Sequence, residues 1–505
     1  GHGGILFSMC LALVLVVASV SALNLSLPNL AVDLHASSSD LTWIADAYTV
    51  ALAALVLPLG ALGDRLGRRS VLVAGTVVFG AAALTASFAQ SASFLIACRV
   101  GMGIGAAMIM PGTLATITAA FPPDQRARGV ATWSGFAAAG SILGLLAAGL
   151  LLEQWGWQSI FRLSAIIAVL AGAAALKLAP NTHEDEHGEL DLVSGACLAL
   201  AIGTLVYGII EGSDGSYGNG KVFAAFAVTA ISLFAYVMFA LRHPNPLLDP
   251  RLLKLRGLGA GAIVVTVQFL ALFGFFFVGL QYLQLILGYS PLKAALAMVP
   301  VGIVVMPLSR VTPRLVARLG MRIVMVSGLL LLALSFGILA QITATSGYPL
   351  FLLGVIFAGM GIALSGSTGT TAITGSLGPD KQGVASAIND ATREIGASLG
   401  IAIMGSTYSS SYISHLPSLA GLPPAAISAT HESAAAGLHV AKGLGTQGRE
   451  LSAGVQDAFI TGLGTSLTVA VVILGLAAVA VALRAPGEAT LEPQKKPSAV
   501  AISAT

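Results

Sequence analysis

The segment LSLPNLAVDLHASSSDLTWIADAYTVALAALVLPLGALGDRLGRRS, residues 25–70, holds the end of one apolar run, a polar link, a second apolar run and a basic loop. An apolar run of about 20 residues is long enough to cross the hydrocarbon core of a bilayer as a helix. Within hydrocarbon, a helix satisfies every backbone N–H and C=O group internally. The segment therefore predicts two membrane-spanning helices that are followed by a charged loop.

The composition of the whole chain indicates the same environment. Of its 505 residues, 56% are hydrophobic and only 9% are charged, and the mean hydropathy is +0.89. Soluble domains carry about 25% charged residues. We predict an all-α polytopic membrane protein whose surroundings are a lipid bilayer. The net charge of +3 gives no case for a nucleic-acid partner.

The apolar runs predict 14 transmembrane helices. An even number places both termini on one side, and most Lys and Arg residues fall in loops or the tail on that side. The positive-inside rule then predicts a multi-pass protein of the cell (inner) membrane with both termini cytoplasmic. The predicted spans lie near residues 5–32, 40–63, 70–89, 93–119, 129–152, 159–180, 192–212, 221–241, 258–286, 291–317, 322–344, 348–374, 383–412 and 456–484.

A repeated loop sequence predicts two related six-helix halves. RLGRR at 65–69 follows the second span, and RLGMR at 318–322 follows the tenth. If one helix pair is inserted between the halves, the two loops occupy corresponding places. The predicted divisions are an N-terminal half (1–180), an inserted two-helix segment (181–256), a C-terminal half (257–484) and a disordered cytoplasmic tail (485–505). The polar segment 413–455 is expected to lie outside the cell.

Three charges interrupt the apolar run GVASAINDATREIGASLGIAIMGS, residues 383–406. A helix projects Asp390, Arg393 and Glu394 from one face, since their spacing is i, i+3 and i+4. An ionisable residue costs roughly 2.5–3.5 kcal/mol at the centre of a transmembrane helix, so each needs a reason. Arg393 can neutralise one acid, and the surplus acid favours a proton-carrying role. The alternative, three charges that satisfy one another in a hydrated vestibule, stays open.

A second ionisable pair lies in the N-terminal half. Asp46 and Arg99 each lie six residues into a predicted span, about 9 Å deep at 1.5 Å per residue. Equal depth permits an ion pair between the two helices. One acid with one base is compatible with a neutralised structural pair and equally with proton coupling.

The loop GALGDRLGRRS, residues 60–70, combines glycines, an aspartate and arginines. Gly63 and Gly67 permit a tight turn, and Asp64 can accept hydrogen bonds from a helix N-terminus or an arginine. A basic anchoring loop accounts for the arginines. It accounts for neither the aspartate nor the glycines.

Other positions within the spans suggest packing or a cavity. Cys10, Cys98 and Cys197 lack metal-ligand spacing and are expected to be core residues. The sequence shows neither a phosphate-binding loop nor a nucleophile elbow, so we expect no enzyme activity, cofactor or metal. Polar and aromatic residues that could line a cavity for amphipathic ligands, each of which could equally pack, are Trp43, Tyr48, Trp133, Phe136, Gln268, Phe273, Gln281, Tyr282 and Gln284.

Taken together, the 60–70 loop, Arg99 with its following glycines and the predicted span count resemble the major facilitator superfamily. Within it, the fourteen-helix drug:proton antiporters are most similar. The resemblance covers nearly the whole chain and includes residues 25–70. Further matching stretches are PGTLATITAAFPPDQRARGVATW (111–133), YLQLILGYSPLKAALAMVP (282–300) and SAINDATREIGASLGIAIMGS (386–406).

The resemblance implies roles for individual residues. Arg99 would take part in proton coupling and Asp46 would communicate with it, while Asp390 and Glu394 would serve protonation or substrate binding. The cytoplasmic gate motif would comprise Gly63, Asp64, Arg65, Gly67, Arg68 and Arg69.

The resemblance also implies a proton-coupled exporter of amphipathic drugs or other small molecules that works by alternating access. Separately, we expect the protein to be monomeric. Two alternatives remain. One is a dedicated exporter of an endogenous lipid, siderophore or antibiotic, and the other is a receptor or scaffold without transport.

The chain departs from the family pattern at three places. Ser19 stands where the family often has an acid in helix 1, which weakens the case for a cationic-drug exporter. Ser141 and Leu145 follow Gly140 and Gly144 where prolines are usual, which weakens strict antiport. Trp157 is followed by glutamine at 158 rather than the common arginine.

Overall fold

The computed structural model describes residues 2–182, 191–212, 218–244, 246–378 and 382–486; it describes only some of the side chains within 123–139 and only the backbone of 382–383. These residues form sixteen α-helices and a short 3-10 helix at Pro250–Lys254. The α-helices are α1 (His2–Asp33), α2 (Ser38–Leu66), α3 (Arg68–Ala86), α4 (Ala92–Ala120), α5 (Pro123–Gln154), α6 (Gln158–Leu178), α7 (Leu192–Gly212), α8 (Gly220–Arg242), α9 (Arg256–Leu285), α10 (Pro291–Leu319), α11 (Met321–Leu339), α12 (Gly347–Gly375), α13 (Gln382–Ser414), α14 (Pro424–Glu432), α15 (Ala434–Ala441) and α16 (Gly445–Arg484).

Within the described residues, twelve helices are long and apolar enough to cross a membrane, so the chain is a multi-pass membrane protein. Helices α5 and α13 fall outside this set although they have 32 and 33 residues. In α5 only Gly140–Gln154 is described throughout, and this part is apolar, while α13 carries charges in its first half. The count of fourteen therefore stays a prediction.

The structure differs most from the predicted spans near the C-terminus. The last long helix begins at Gly445 instead of near 456, and the segment predicted as a polar loop contains α14 and α15. Ser433 caps α15 by accepting a hydrogen bond from the Ala436 N–H at 3.1 Å. The Tyr412 hydroxyl on α13 donates to Thr430 O at 2.9 Å and ties α14 to the bundle. We call α14 and α15 the cap, and the end of the bundle that bears them the cap end.

The helices pack in two groups. In the N-terminal group, α1–α6, helix α4 packs on α2 and α3, while α1 packs on α5 and α6. In the C-terminal group, α9–α13 with α16, helix α13 packs on α9, and α12 packs on α10 and α11. Helix α7 pairs with α8 and contacts α2 and α13. The relation of the groups as two matched halves, and the four predicted divisions, stay predictions; nearly all of the predicted tail lies outside the described residues.

The two repeated loops have the same backbone arrangement. Gly67 alone separates α2 from α3, and Gly320 alone separates α10 from α11. Their φ angles are 101° and 83°, in a region that side chains with a Cβ rarely adopt. Each glycine donates its N–H to the carbonyl four residues earlier, at 3.0 Å to Gly63 O and 2.9 Å to Val316 O. The end of the bundle with these loops is the arginine-loop end.

An arginine two residues after each glycine makes a matching contact. Arg69 donates to Ala179 O at 3.3 Å, and Arg322 donates to Ala485 O at 2.8 Å. Ala179 is the C-cap residue of α6, and Ala485 is the C-cap residue of α16. The short sequence repeat thus has a three-dimensional counterpart, in which each loop is tied to the last helix of its own group.

The two groups meet closely at the cap end. Gln284 on α9 donates to Leu25 O on α1 at 2.9 Å, and the Ser38 hydroxyl donates to Glu432 O in the cap at 3.4 Å. A Cβ on Gly149 of α5 would stand 2.7 Å from Leu292 Cα of α10. These contacts close the seam between the groups on this side.

Candidate functional site

Arg99 lies on α4, and its guanidinium contacts the backbone of α2. Its side chain is 1% exposed. Nε donates to Ile44 O at 3.1 Å and Nη2 to Ala45 O at 3.5 Å, while Nη1 has no partner. The guanidinium carbon lies 4.5 Å from the centroid of the Tyr48 ring, which is a cation–π contact. Most of this buried charge is therefore satisfied by carbonyl dipoles and one aromatic face.

Glycine allows α4 to approach α2 at this position. A Cβ on Gly103, one turn after Arg99, would collide with Tyr48 O and lie 2.7 Å from Ala51 Cβ. Small residues are the usual means by which transmembrane helices bring their backbones together. The sequence RVGMGIG, which begins at Arg99, thus positions its own arginine against the carbonyls of α2.

Asp46 is fully buried but does not form an ion pair with Arg99. The Thr49 hydroxyl donates to Asp46 Oδ1, and Asp46 Oδ2 has no partner. Successive residues of a helix are turned by about 100°, so Asp46 points away from the face formed by Ile44 and Tyr48. Asp46 and Arg99 lie on neighbouring helices, as their equal depth allowed. However, the Asp46 side chain lies on a different face of α2 from the one that Arg99 contacts.

Asp46 faces α13 of the other group. The Ser398 hydroxyl lies against the Asp46 carboxyl group, and both side chains are 0% exposed. Ser398 Oγ and Asp46 Oδ2 are each buried without a hydrogen bond of good geometry. Buried polar atoms are nearly always hydrogen-bonded, and an unpaired one costs about 1–3 kcal/mol. Such a pair marks a contact where a hydrogen bond can form or break.

The two acids of α13 have no direct partner. Asp390 is 6% exposed and Glu394 is partly exposed. Among the described residues, neither carboxylate has a hydrogen bond or an ion pair. Arg393 remains in electrostatic range of both acids. Its guanidinium carbon, however, lies 4.8 Å from the centroid of the Phe269 ring on α9.

The expected neutralisation of one acid by contact with Arg393 is therefore not seen. Neighbouring positions on a helix do not face each other, so Arg393 turns from Glu394 toward the aromatic ring. Its Nε is buried without a partner. Two carboxylates and one guanidinium thus lie near one another in a partly buried region without pairing.

Glycines hold this part of α13 against α9. A Cβ on Gly396 would collide with Thr266 O, and a Cβ on Gly400 would collide with Leu270 O. The two glycines are four residues apart and lie on either side of Ser398 in the sequence. The acids are therefore carried on a helix whose position is fixed by backbone contact.

Tyr48 connects the two charged regions. Its hydroxyl donates to Val16 O of α1 at 3.0 Å, and its ring lies in electrostatic range of both Arg99 and Glu394. Helices α1, α2, α4 and α13 meet around it. Charged residues that are far apart in sequence are thereby assembled where the N-terminal and C-terminal groups touch.

The 60–70 loop forms a fixed turn. Arg68 Nε donates to Asp64 Oδ1 at 2.7 Å, an ion pair spaced i, i+4. Arg68 Nη1 reaches Ala115 O of α4 at 3.5 Å, and the Arg68 N–H donates to Thr182 O at 2.9 Å. A Cβ built on Gly63 would lie 3.8 Å from Val71 Cβ, an ordinary van der Waals distance. Arg65 projects from the last turn of α2.

The nine cavity candidates make contacts in several parts of the bundle. Gln284 lines a cavity at the cap end. Trp43 donates to Glu211 of helix α7 at 2.8 Å. Trp133 donates to Thr113 within the N-terminal group at 3.0 Å.

Most of the remaining candidates make local contacts, and one is exposed. Gln268 accepts from Ser365 at 2.9 Å, and Gln281 donates to its own helix at Phe277 O, at 2.8 Å. Tyr282 is buried and stacks on an aromatic ring, Phe273 also packs in an aromatic cluster, and Phe136 is 43% exposed.

Ser398 was not among the predicted site residues, although the sequence contained a signal for it. It follows Glu394 by four positions, just as Glu394 follows Asp390, so the three share one helix face. Glu211, the partner of Trp43, had no such signal because its contact depends on how α7 docks on α2.

Comparisons with known proteins agree with this architecture. A family model described as the Major Facilitator Superfamily matches residues 9–401. The methyl viologen resistance protein SmvA of Salmonella typhimurium is 32% identical over 467 residues, which cover 92% of this chain and 94% of SmvA. The multidrug efflux pump LfrA of Mycolicibacterium smegmatis is 30% identical over 474 residues, which cover 93% of this chain and 94% of LfrA.

A solved structure has a similar fold. It is a bacterial homologue of the human lysosomal transporter Spinster in an inward-facing, unoccupied conformation, and it aligns with a TM-score of 0.67 over 96% of both chains. At 18% identity, the likeness concerns the fold alone.

Proposed function

The chain belongs to the Major Facilitator Superfamily, and from this premise we propose that it exports amphipathic small molecules in exchange for protons. Its relatives include proteins named for methyl viologen resistance and for multidrug efflux. The proposal extends to a cell (inner) membrane location, a monomer, and both termini and the arginine-loop end on the cytoplasmic side, since that end carries most of the loop arginines.

The observation that carries the proposal is the group of unpaired acids between the helix groups. Asp46 on α2 and Asp390 and Glu394 on α13 lie where the two groups touch, and none has an ion pair among the described residues. A buried carboxylate without an ion-pair partner is costly, and protonation removes much of that cost. The protonated form of each acid is therefore favoured when the two helix groups are in contact, and the proton is released when the groups separate and water enters.

Proton exchange at this contact can drive alternating access. When α2 and α13 separate, Asp46 no longer contacts Ser398 and becomes hydrated. Hydration favours the ionised form of its carboxyl group. When they close, the protonated form is favoured. A substrate that binds one facing state better than the other shifts the same equilibrium. Protonation and substrate binding then oppose each other, which is the requirement for exchange.

The 60–70 loop suits the proposed gate. The Asp64–Arg68 ion pair and the Arg68 bond to α4 tie the loop to the N-terminal group. The second loop has Ala317 and Met321 at the corresponding positions, yet its turn has the same geometry. The Asp64–Arg68 ion pair is therefore not needed to form the turn. We infer that the ion pair serves gating instead.

Flux in proteoliposomes tests the proposal. The purified full-length chain is reconstituted with an acidic lumen, and the outside is made alkaline, so that outward proton movement drives inward movement of an exported substrate. Probes are methyl viologen, ethidium and dansyl-glycine. We expect accumulation of at least one probe that collapses when the gradient is dissipated. Accumulation that ignores the gradient argues against proton exchange, and none with any probe favours the receptor or scaffold alternative.

A further inference from the structure

We propose that a cavity at the cap end binds an anionic amphipathic molecule, which is the exported substrate at its point of exit. The cavity has a volume of about 720 Å³, within the range of about 300–1,000 Å³ that is usual for small-molecule sites. Its walls come from the ends of α1 and α9, from α15 and from the start of α16. Its polar lining includes Asn29, Asp33, Gln284, His439, Lys442 and Arg449.

Positive charge is left without a partner in this cavity. Among the residues that the structure describes, no carboxylate lies within ion-pair distance of Lys442 or Arg449. Asp33, the lining carboxylate, accepts a hydrogen bond from Trp157 Nε1 at 3.0 Å, and its charge offsets only one of the two cations, so the lining keeps an excess of positive charge. Glu450 and Asp457 are exposed on α16 and do not line the cavity. The unbalanced cations select an anion rather than a cation.

The start of α16 adds to this preference. Helix α16 has 40 residues, its N-cap is Leu444, and no side chain caps it. Gly445 and Gly448 of this first turn line the cavity. The Gly448 N–H donates to Leu444 O at 3.3 Å, so only the N–H groups that precede it in the first turn lack an intrahelical acceptor. An uncapped helix N-terminus next to two cations favours a carboxylate or sulfonate group. Val32, Leu285 and Leu438 supply an apolar surface for the rest of the molecule.

The position of the cavity assigns it to the exit path. Gln284 lines the cavity and also makes the hydrogen bond to Leu25 O that joins the two helix groups. The cavity thus lies directly on the cap side of this closure, and opening the seam would connect it with the centre of the bundle. The exit role rests on the proposed export function, whereas anion binding does not.

The test is a binding titration on the full-length protein in nanodiscs of zwitterionic lipid, with empty nanodiscs as background. Dansyl-glycine is the anionic probe and dansylamide its neutral counterpart. We expect tighter binding of dansyl-glycine, and a loss of affinity of about fivefold or more in the double variant Lys442→Gln with Arg449→Gln. Dansylamide binding should not change. Lys293→Gln is the matched control, since Lys293 is a cap-end lysine that lies outside the cavity, over the Tyr289 ring.

Equal binding of both probes, or an equal loss of dansyl-glycine affinity in Lys293→Gln, would overturn the proposal. A second set of nanodiscs contains phosphatidylglycerol. If dansyl-glycine loses affinity there in the wild type but not in the double variant, lipid headgroups occupy the site in place of a soluble anion, and the exit role fails.

Glu394→Gln separates this proposal from the proposed function. It should abolish gradient-driven flux while leaving dansyl-glycine affinity at the wild-type value. Lost affinity in Glu394→Gln would place the probe at the central acids and refute the cap-end site.

Discussion

Arg99 on α4 and the charged segment of α13 both place charge inside the helix bundle, but their surroundings differ. Two backbone carbonyls and the Tyr48 ring satisfy most of the Arg99 guanidinium. Asp390 and Glu394 have no hydrogen bond or ion pair among the described residues, and Arg393 stacks on Phe269 instead of pairing with them. A buried charge that is satisfied holds helices together. We propose that a charge which is not satisfied is retained because the group can take up and release a proton.

The comparison predicts opposite effects on stability and transport in the two regions. Removing a satisfied charge should weaken the fold, while neutralising an unsatisfied acid should leave the fold intact or strengthen it and stop transport. This is the trade-off expected where a functional site is kept at the expense of stability.

The largest effect is expected for Glu394→Gln. The amide keeps the shape of the side chain but cannot carry a proton, so gradient-driven accumulation should fall to that of protein-free vesicles. Because a neutral amide avoids the cost of burying a charge, the thermal midpoint in detergent should be unchanged or higher. A lower midpoint together with lost flux would mean that Glu394 serves the fold.

Asp46→Asn is expected to reduce driven accumulation less completely, because the acids of α13 remain. Thr49 can still donate to the amide oxygen, so the local hydrogen bond to Asp46 Oδ1 should persist and the protein yield should match the wild type. Flux is compared at equal amounts of reconstituted protein. Thr49→Val is the control: it removes the hydrogen bond and keeps the acid, so it should transport better than Asp46→Asn.

Arg99→Lys should act mainly on stability. Lysine keeps the charge but cannot contact both carbonyls and cover the Tyr48 ring at once. We therefore expect the free energy of unfolding to fall by about 2 kcal/mol. Thermal unfolding of the purified protein, followed by fluorescence, measures the decrease in the thermal midpoint. Arg393→Lys is the matched change in the other region and should lower the midpoint less. An equal shift would remove the distinction between the regions.

The smallest effect is expected for Ser398→Ala, which removes the hydroxyl against Asp46 but no charge. Driven flux should fall a few-fold, with recovery in Ser398→Thr. Ser406 is also buried on α13 without a hydrogen-bond partner, and Ser406→Ala should transport like the wild type. If both alanine variants behave alike, Ser398 has no particular link to Asp46.

Much of this arrangement could be predicted from the sequence because its signals are local. Long apolar runs fix the helices, Gly67 fixes the turn of the 60–70 loop, and the cost of burying charge identifies the acids. The cap could not be predicted, since the Ala-rich segment 424–441 is neither long enough for a span nor polar enough for a clear loop. The partner of Arg99 was also missed, because depth in the membrane gives the height of a residue but not the neighbour it faces.

The most direct test of the central claim measures protons and substrate together. Proteoliposomes of the wild type and of the double variant Asp390→Asn with Glu394→Gln contain a pH-sensitive dye and receive a transported probe. The account predicts proton movement coupled to probe entry in the wild type. In the double variant it predicts exchange of labelled for unlabelled probe without proton movement. Proton movement of wild-type size in the double variant would contradict the account.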